Sequence, residues 1–347
     1  MRLERREFIR GGMMAALCAP ASAAIAADGP KSDEGVKFCA FSDIHYFPGR
    51  FPHDSKEWLG RILDRAEKNR CDFAIHMGDF THNPVKAKDY VDFYNDFKLP
   101  TYHTVGNHDF DQCTPEETFG AYRMENGHYF FDRNGFRFIA TDTNYSYSNG
   151  QWRHYGDKSK PYSAKGNILD RVPPAELEWL RATIESSPYP CVVTSHASYE
   201  REDGSPDRVA VRKIFNDANR RNPGRVRLVI NGHYHCDHVR LLDGIVYLDL
   251  NSANFCWVGL VHKAYPAEDT KKYVYMQNLL AWNDPLSATI TLTRGGRIRI
   301  EGYSSTFYRD VDPLKAGFPQ ALHGRAITPY VQSFDITMAY PAPDVAC

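Results

Sequence analysis

Short apolar runs alternate with amphipathic segments from residue 36 onward, and this alternation predicts an α/β protein. Continuous apolar runs are typical of buried strands, whereas apolar positions that repeat every three or four residues are typical of helices packed on a core. The predicted strands are VKFCAFSD (36–43), DFAIHMGD (72–79), TYHTVGNHD (101–109), PCVVTSH (190–196) and VRLVINGH (226–233). The predicted helices are 54–70, 86–97, 173–186 and a segment near 206–220.

Three further segments predict β-hairpins, because strand-like residues flank a turn dipeptide in each. They are 128–142 around Asn134-Gly135, 239–250 around Asp-Gly and 288–303 around Gly-Gly. Together with the buried strands and the helices, they predict two β-sheets packed as a sandwich and flanked by helices. Residues 144–168 are polar and aromatic, and we expect a long loop there.

The first 27 residues have the pattern of an export signal. A charged start is followed by a short apolar stretch that ends in small residues, which offer Ala-x-Ala cleavage sites. The pair Arg5-Arg6 resembles a twin-arginine (Tat) signal, which directs the export of folded proteins, and a general secretory signal is the alternative. We therefore expect a periplasmic or secreted protein. The predicted divisions are a signal peptide at 1–27, a main domain at 28–300 and a C-terminal extension at 301–347.

Composition narrows the range of partners. Hydrophobic residues make up 42% of the chain and charged residues 24%, as in soluble globular proteins. The net charge of −1 provides no strong field for nucleic acid or a membrane surface, and no later segment is long and apolar enough to span a bilayer. The chain has 8 cysteines but no Cys-x-x-Cys pair, so we predict neither a cysteine zinc site nor a disulfide.

Five predicted strands end in residues that can bind a metal ion. Loops that leave the carboxyl ends of strands form the binding sites of open α/β sheets, so we expect these endings to converge. If the pairs Asp43/His45 and His233/His235 remain extended, the two side chains of each pair leave on the same side. The glycine in three of the endings lets the backbone approach the site closely. The endings are Asp43-Ile44-His45, Gly78-Asp79, Gly106-Asn107-His108-Asp109, His196 and Gly232-His233-Tyr234-His235.

The ordered set D-x-H, G-D, G-N-H-D, H and G-H-x-H resembles the calcineurin-like metallophosphoesterase superfamily over about residues 36–260. The resemblance implies a centre of two divalent metal ions, of the group Mn, Zn and Fe. It implies that the ligands of the first ion are Asp43, His45, Asp79 and His235. It implies that the ligands of the second are Asp79, Asn107, His196 and His233, with Asp79 as the bridge. It also implies that His108 contacts the phosphate and the leaving group and does not bind a metal.

The chemistry of phosphate esters accounts for this set of residues. Two cations about 3.5–4 Å apart neutralise an anionic ester and acidify a bridging water, and His108 can protonate the departing alkoxide. The predicted function is hydrolysis of small-molecule phosphate esters, with phosphodiesters favoured, by a metal-bridging hydroxide. The alternatives are a phosphomonoesterase and a non-catalytic metal-binding protein on the same fold, although every matched ligand position is filled here. The near-neutral charge gives little support for a nuclease.

Three residues near the motifs are open to more than one interpretation. His82 stands where purple acid phosphatases carry a tyrosine ligand, and it is either a group behind the ligands or an ordinary loop residue. His76 lies within a predicted strand, and we expect it to be buried and hydrogen-bonded. Asp109 either orients a neighbouring histidine, forms a salt bridge or caps a turn.

The segment 144–168 is the candidate substrate-binding region. It follows the end of a predicted strand, so we expect its aromatic residues to lie beside the metals and stack on a base or a sugar. The alternative is an exposed loop that packs its own aromatics together. The candidate substrate-binding residues are Tyr145, Trp152, His154 and Tyr155.

Overall fold

The computed structural model describes residues 35–52, 55–159, 165–259 and 261–340 of the chain. The predicted signal peptide at 1–27 lies outside these residues. Within the described ranges, no helix has the length and apolar character needed to cross a membrane.

The described elements comprise strands, α-helices and short 3-10 turns. The strands are β1 (Val36–Phe41), β2 (Phe73–Met77), β3 (Thr101–Thr104), β4 (Tyr129–Arg133), β5 (Phe136–Ala140), β6 (Tyr145–Ser148), β7 (Gln151–His154), β8 (Ile168–Arg171), β9 (Cys191–Thr194), β10 (Val226–Asn231), β11 (His238–Leu242), β12 (Ile245–Asp249), β13 (Phe255–Trp257), β14 (Leu279–Ala281), β15 (Ala288–Leu292), β16 (Arg297–Gly302), β17 (Ala321–Leu322), β18 (Arg325–Ala326) and β19 (Phe334–Thr337). The helices are α1 (Ser55–Lys68), α2 (Lys88–Asn95), α3 (Pro115–Tyr122), α4 (Pro174–Glu185), α5 (Arg208–Arg221) and α6 (Ala267–Lys272). The 3-10 turns are Asn107–Phe110, Met276–Asn278 and Tyr308–Asp310.

Two six-stranded sheets form the centre of the fold. Their strand orders are β19-β16-β15-β1-β2-β3 and β11-β12-β10-β9-β5-β4. Neighbouring strands are parallel within β1-β2-β3 and within β5-β9-β10-β12, and they are antiparallel elsewhere in the two sheets. The predicted pair of sheets is therefore confirmed, and each sheet has a parallel part whose carboxyl-end loops are available to build a site.

Alternation of side chains along the strands explains the layers. In β1, Phe38 and Ala40 point into the core between the sheets, where they join Leu228 of β10. The intervening Cys39 and Phe41 point to the opposite face, where α1 packs. Helices α4 and α5 cover the outer face of the second sheet in the same way. The molecule is thus a helix–sheet–sheet–helix sandwich, and each large apolar side chain buried in it contributes roughly 1.5–3 kcal/mol.

The predicted hairpin turns are confirmed at two positions that require a left-handed backbone. Asn134 and Gly135 join β4 to β5 with φ of 47° and 77°. Asp243 and Gly244 join β11 to β12 with φ of 54° and 74°. Positive φ at both central residues is the geometry of a type I′ turn, whose twist matches that of the strands it joins.

The long loop predicted at 144–168 is wrong for the part that the structure describes. Strands β6 and β7 pair antiparallel there, and β8 joins them in a separate three-stranded sheet. The hairpin turns at Asn149 and Gly150, with φ of 49° and 79°. The predicted C-terminal extension is described as far as residue 340, and it supplies β19 to the edge of the first sheet and the small hairpin β17–β18.

Candidate metal centre

The first group of polar side chains lies where β1 and β10 end. Asp43 and His45 follow β1, His235 follows β10, and one side-chain atom of each lies within 4.8 Å of the others. The Nε2 atom of His235 is 3.2 Å from Asp43 Oδ1 and 3.2 Å from His45 Nε2. All three side chains are buried. Their nitrogen and oxygen atoms are therefore close enough to bind one ion.

The second group draws on three further loops. His196 Nε2 lies 3.3 Å from Asp79 Oδ2 and 3.2 Å from Asn107 Oδ1. His233 Nδ1 lies 3.1 Å from the same Asn107 oxygen. Asp79, His196 and His233 also meet the 4.8 Å limit among themselves. Asn107 thus adds a neutral oxygen to a second potential ligand set.

Asp79 lies between the two groups. Its Oδ2 atom is 3.3 Å from His196 Nε2 in the second group and 3.8 Å from His45 Nε2 in the first. This is the position that a bridging carboxylate would occupy. The structure therefore brings together all seven of the residues predicted as metal ligands.

The backbone at these residues differs from the extended pairs that we expected. Five of the seven have a left-handed backbone, with φ of 51° at Asp43, 47° at His45, 54° at Asp79, 75° at His233 and 49° at His235. The chain turns sharply at each strand end, so both members of each pair reach the same site through the turn. A left-handed conformation costs a non-glycine residue on the order of 1–3 kcal/mol. Hydrogen bonds between the loops hold it, including His45 N to Asp79 O at 3.0 Å.

Close backbone approach explains the glycine at 106. A Cβ atom added there would lie 2.9 Å from His196 Cε1, and still closer to the backbone nitrogen and Oδ1 of Asp79. Gly78 has φ of 98° and an added Cβ would lie 2.8 Å from the Cα of Gly106. The loops after β2 and β3 can therefore pack against each other only because both residues lack a side chain.

The charges of the site fit divalent cations. Asp43 and Asp79 are buried, and no described lysine or arginine pairs with either; the Oδ1 atom of Asp43 has no hydrogen-bond partner among the described residues. Burial raises the pKa of Asp79, but His196 and His108 outweigh it and hold that pKa well below its usual range. Burial lowers the pKa of His196, but Asp79 and Asp43 raise it to about 10. Protonated histidines thus stabilise the ionised forms of the two carboxylates. Metal ions displace these histidine protons when they bind.

The orientation of the histidines also fits metal binding. His196 Nδ1 donates to Met77 O at 2.7 Å, and His235 Nδ1 donates to Phe255 O at 2.9 Å. Each bond fixes the ring and leaves Nε2 facing the site, as in many metal-binding histidines. Imidazole, carboxylate and carboxamide ligands together suit borderline divalent ions such as Mn, Zn and Fe.

His108 lies beside this centre in the 3-10 turn after β3. Its backbone N–H donates to Asp79 Oδ1 at 2.8 Å, and its Nδ1 donates to Asp111 Oδ2 at 2.8 Å. Burial lowers the pKa of His108, but Asp79 and Asp111 raise it to about 9. The imidazole is therefore held protonated at Nδ1 by Asp111, and its Nε2 remains for a substrate. Sequence reasoning missed Asp111, although its position three residues after His108 in a tight turn was the available signal.

His82 contacts the proposed ligand His45, so it is a group behind the ligands and not an ordinary loop residue. Its Nδ1 donates to the same Asp111 oxygen at 2.7 Å, so its Nε2 accepts from His45 Nδ1 at 3.2 Å. This leaves His45 Nε2 free for the first ion. His76 is buried and hydrogen-bonded to His103, as expected.

Asp109 caps the turns of two loops. Its buried carboxylate accepts from the backbone N–H groups of Gly106, Asp79, Phe80 and Thr81, at 2.8 to 3.1 Å. The hydroxyl of Tyr122 donates a fifth bond at 2.6 Å. Of the three interpretations open for Asp109, the structure therefore supports capping, and no histidine is among these partners.

A cavity of about 460 Å³ opens over the centre. Its lining includes the aromatic residues Phe47, Phe51, Phe255, Trp257 and Tyr275. It also includes Tyr234, Leu322 and His323.

The four candidate substrate-binding residues are not among those that line this cavity. Tyr155 is buried and its hydroxyl bonds Asp170, and His154 bonds the buried Asp142 at 3.0 Å. Tyr145 packs on His154, and Trp152 packs on Tyr147. In the described structure Tyr145 and Trp152 thus pack on neighbours within their own segment, as in the alternative interpretation, and a role of the four residues in substrate binding stays a prediction.

Comparisons with known proteins agree with this geometry. The family described as calcineurin-like phosphoesterase matches residues 36–237. A solved dimetal phosphatase from Danio rerio is 14% identical, covers 88% of this chain and 99% of its own, and superposes with a TM-score of 0.55. A putative 5′-nucleotidase from Staphylococcus aureus is 15% identical over 80% of this chain and 55% of its own, with a TM-score of 0.44. No curated protein matches the sequence. At 14% identity the Danio rerio structure shows a shared fold only.

Proposed function

Because this chain belongs to the calcineurin-like phosphoesterase family and is a metal-dependent phosphoester hydrolase, we propose that it is an exported enzyme that binds two divalent metal ions and hydrolyses small-molecule phosphodiesters. One observation carries the proposal: Asp79 lies between two groups of potential ligands, and the carboxylates of these groups are buried and ionised. The proposed ligands of the first ion are Asp43, His45, Asp79 and His235. Those of the second are Asp79, Asn107, His196 and His233.

When bound, two such ions neutralise a phosphate ester and supply a nucleophile at neutral pH. The protein's own contribution beyond the ligands is at His108. Asp111 holds the proton on Nδ1 of His108 and fixes the ring. The opposite nitrogen, Nε2, can then deliver a proton to the leaving oxygen, which is the step that limits the departure of an alkoxide.

The charge of the cavity favours diesters over monoesters. A phosphodiester carries one negative charge, whereas a monoester carries close to two at neutral pH. Among the described residues that line the cavity there is no lysine or arginine to balance the second charge. A monoester would therefore depend on the metals and His108 alone.

Parallel assays test this preference. We expect metal-quantified protein to hydrolyse bis(p-nitrophenyl) phosphate with a higher kcat/KM than p-nitrophenyl phosphate. A clear preference for the monoester would instead identify a phosphomonoesterase. Hydrolysis of neither ester by protein that contains two ions would indicate a non-catalytic metal-binding protein.

The sequence pattern of residues 1–27 supports export by the twin-arginine route. We expect replacement of Arg5 and Arg6 by Lys to leave uncleaved precursor in the cytoplasm, as judged by cell fractionation. Undiminished export of this variant would point to the general secretory route.

A further inference from the structure

Five aromatic side chains that line the cavity form a cluster, and its ring contacts begin at a proposed ligand. We call Phe47, Phe51, Phe255, Trp257 and Tyr275 the aromatic wall. Phe255 lies 5.3 Å from the His45 ring at an angle of 23°, and Phe51 lies 4.7 Å from Phe255 at 24°. Tyr275 follows at 5.6 Å from Phe51, and Trp257 at 5.5 Å from Tyr275. The wall therefore runs outward from the metal centre to solvent.

Exposure increases along the wall. Phe255 and Phe51 are 1% and 7% exposed, whereas Trp257 is 40% exposed. The backbone of Trp257 pairs with Leu279 in the two-stranded sheet of β13 and β14. Single exposed aromatics are common on protein surfaces and need no explanation. This indole differs because it lines the cavity and contacts rings that lead to the ligands.

The other residues of the lining limit which groups the cavity can accept. They include Tyr234, Leu322 and His323, and the last two come from the β17–β18 hairpin and its turn. His323 is itself paired with Asp203 at 3.1 Å. Apart from the proposed ligands, His82 and His108, the only other ionisable groups in the described lining are Asp111, Tyr234, Tyr275 and His323. A highly charged anionic group would therefore find no lysine or arginine in the described lining, and His323 is already paired with Asp203.

We propose that the substrate carries a flat, uncharged aromatic group that stacks on the aromatic wall, and that Trp257 determines this specificity. The inference rests on the proposed function and names the substrate class of the same site. A nucleobase and an aryl group share this chemistry. Stacking of a base on an aromatic side chain is strong enough to change affinity about tenfold or more.

Two diesters that differ only in planarity test the proposal. Benzyl methyl phosphate and cyclohexylmethyl methyl phosphate have similar size, the same charge and alkoxide leaving groups. We expect the wild type to prefer the benzyl ester about tenfold in kcat/KM, mainly through KM, since stacking acts on binding. Trp257→Ala should lose the preference, and Trp257→Phe should retain part of it.

Trp152→Ala is the matched control, because Trp152 lies in β7 and outside the cavity lining. It should leave the preference unchanged. A third diester, thymidine 5′-methyl phosphate, distinguishes the two sources: a lower KM than for the benzyl ester identifies a base site, and a higher KM an aryl site, and both support stacking.

A second readout avoids turnover altogether. At saturating concentration, thymidine, which has no phosphate ester to hydrolyse, should quench tryptophan fluorescence in the wild type and not in Trp257→Ala. Equal kcat/KM for the planar and saturated esters, or an unchanged preference in Trp257→Ala, would overturn the inference while leaving the proposed function intact. Failure of the metal-loaded wild type on every ester, including bis(p-nitrophenyl) phosphate, would instead overturn the proposed function.

Discussion

Replacement of Gly106 by alanine should disable the centre without adding charge or removing a ligand. The new Cβ atom would lie 2.9 Å from His196 Cε1 and closer to two atoms of Asp79. Carbon atoms in ordinary contact are about 3.5–4.0 Å apart. The contact with His196, after β9, is therefore too short by roughly 0.6–1 Å, and those with Asp79, after β2, by more, so the loop after β3 must move away from both by about 1 Å.

The expected magnitudes follow from this separation. Extra methyl groups forced into a packed interior typically cost about 1–3 kcal/mol, so the free energy of unfolding should fall by that amount. A displacement of about 1 Å in a catalytic geometry can lower the rate about 10²-fold. Because Asp79 and His196 move apart, the metal content should fall as well.

Urea unfolding, elemental analysis and the rate on bis(p-nitrophenyl) phosphate measure the three effects. Gly120→Ala is the control, because Gly120 is exposed in α3 and an added Cβ would meet nothing within 4 Å. Alanine is the better helix former, so this variant should be more stable by about 0.5–1 kcal/mol. If Gly106→Ala kept wild-type stability, metal content and activity, glycine at position 106 would not be needed for the close approach of the two loops.

Three further substitutions probe separate parts of the site and its support. Asp79→Ala should lose both metals or nearly both in elemental analysis, because its carboxylate lies between the groups; full retention would remove it from the ligand set. His108→Ala should keep its metals but lose about 10²–10⁴ in rate, with a smaller loss for p-nitrophenolate than for an alkoxide that needs a proton. Equal losses for both leaving groups would refute proton donation. The third substitution concerns acid stability. Burial, then Arg123, lowers the pKa of His103 to about 3, whereas the unfolded side chain protonates near pH 6.5. The unfolded state therefore binds more protons as the pH falls below 6.5, and the free energy of unfolding should fall by about 2 kcal/mol from this residue between pH 7.5 and 5. In urea titrations at several pH values, the free energy of unfolding of His103→Gln should depend correspondingly less on pH. An unchanged pH dependence would refute the low pKa of His103.

The ligand set could be predicted from the sequence because its chemistry depends on residue type and order. Asp43, Asp79 and His196 each follow an apolar run, and parallel strands bring such endings to one edge of a sheet. The left-handed backbone at the same residues could not be predicted, because aspartate and histidine, unlike glycine, do not adopt it without steric cost. It arises where the loops are tied to one another by hydrogen bonds such as Asp43 N to Gly78 O.

The aromatic wall could not be predicted, since its members come from segments distant in sequence. Phe51 follows β1, whereas Trp257 and Tyr275 lie about two hundred residues later and meet it only in the folded chain. The error at 144–168 was avoidable. Asn149-Gly150 lies between SYS and QW, and that dipeptide is a strong signal for a hairpin.

The left-handed backbone at the ligand residues lowers the stability of the fold, although the same residues are needed for activity. Five non-glycine residues in this conformation cost on the order of 1–3 kcal/mol each, a sum comparable to the whole net stability of a typical domain. Glycine at any one of them would relieve the local strain while deleting a ligand. Mutational drift under selection for folding alone should therefore erode this centre early, and a laboratory screen for thermostability should recover glycine or asparagine at Asp43, His45 or His235 among its first stabilised, inactive variants.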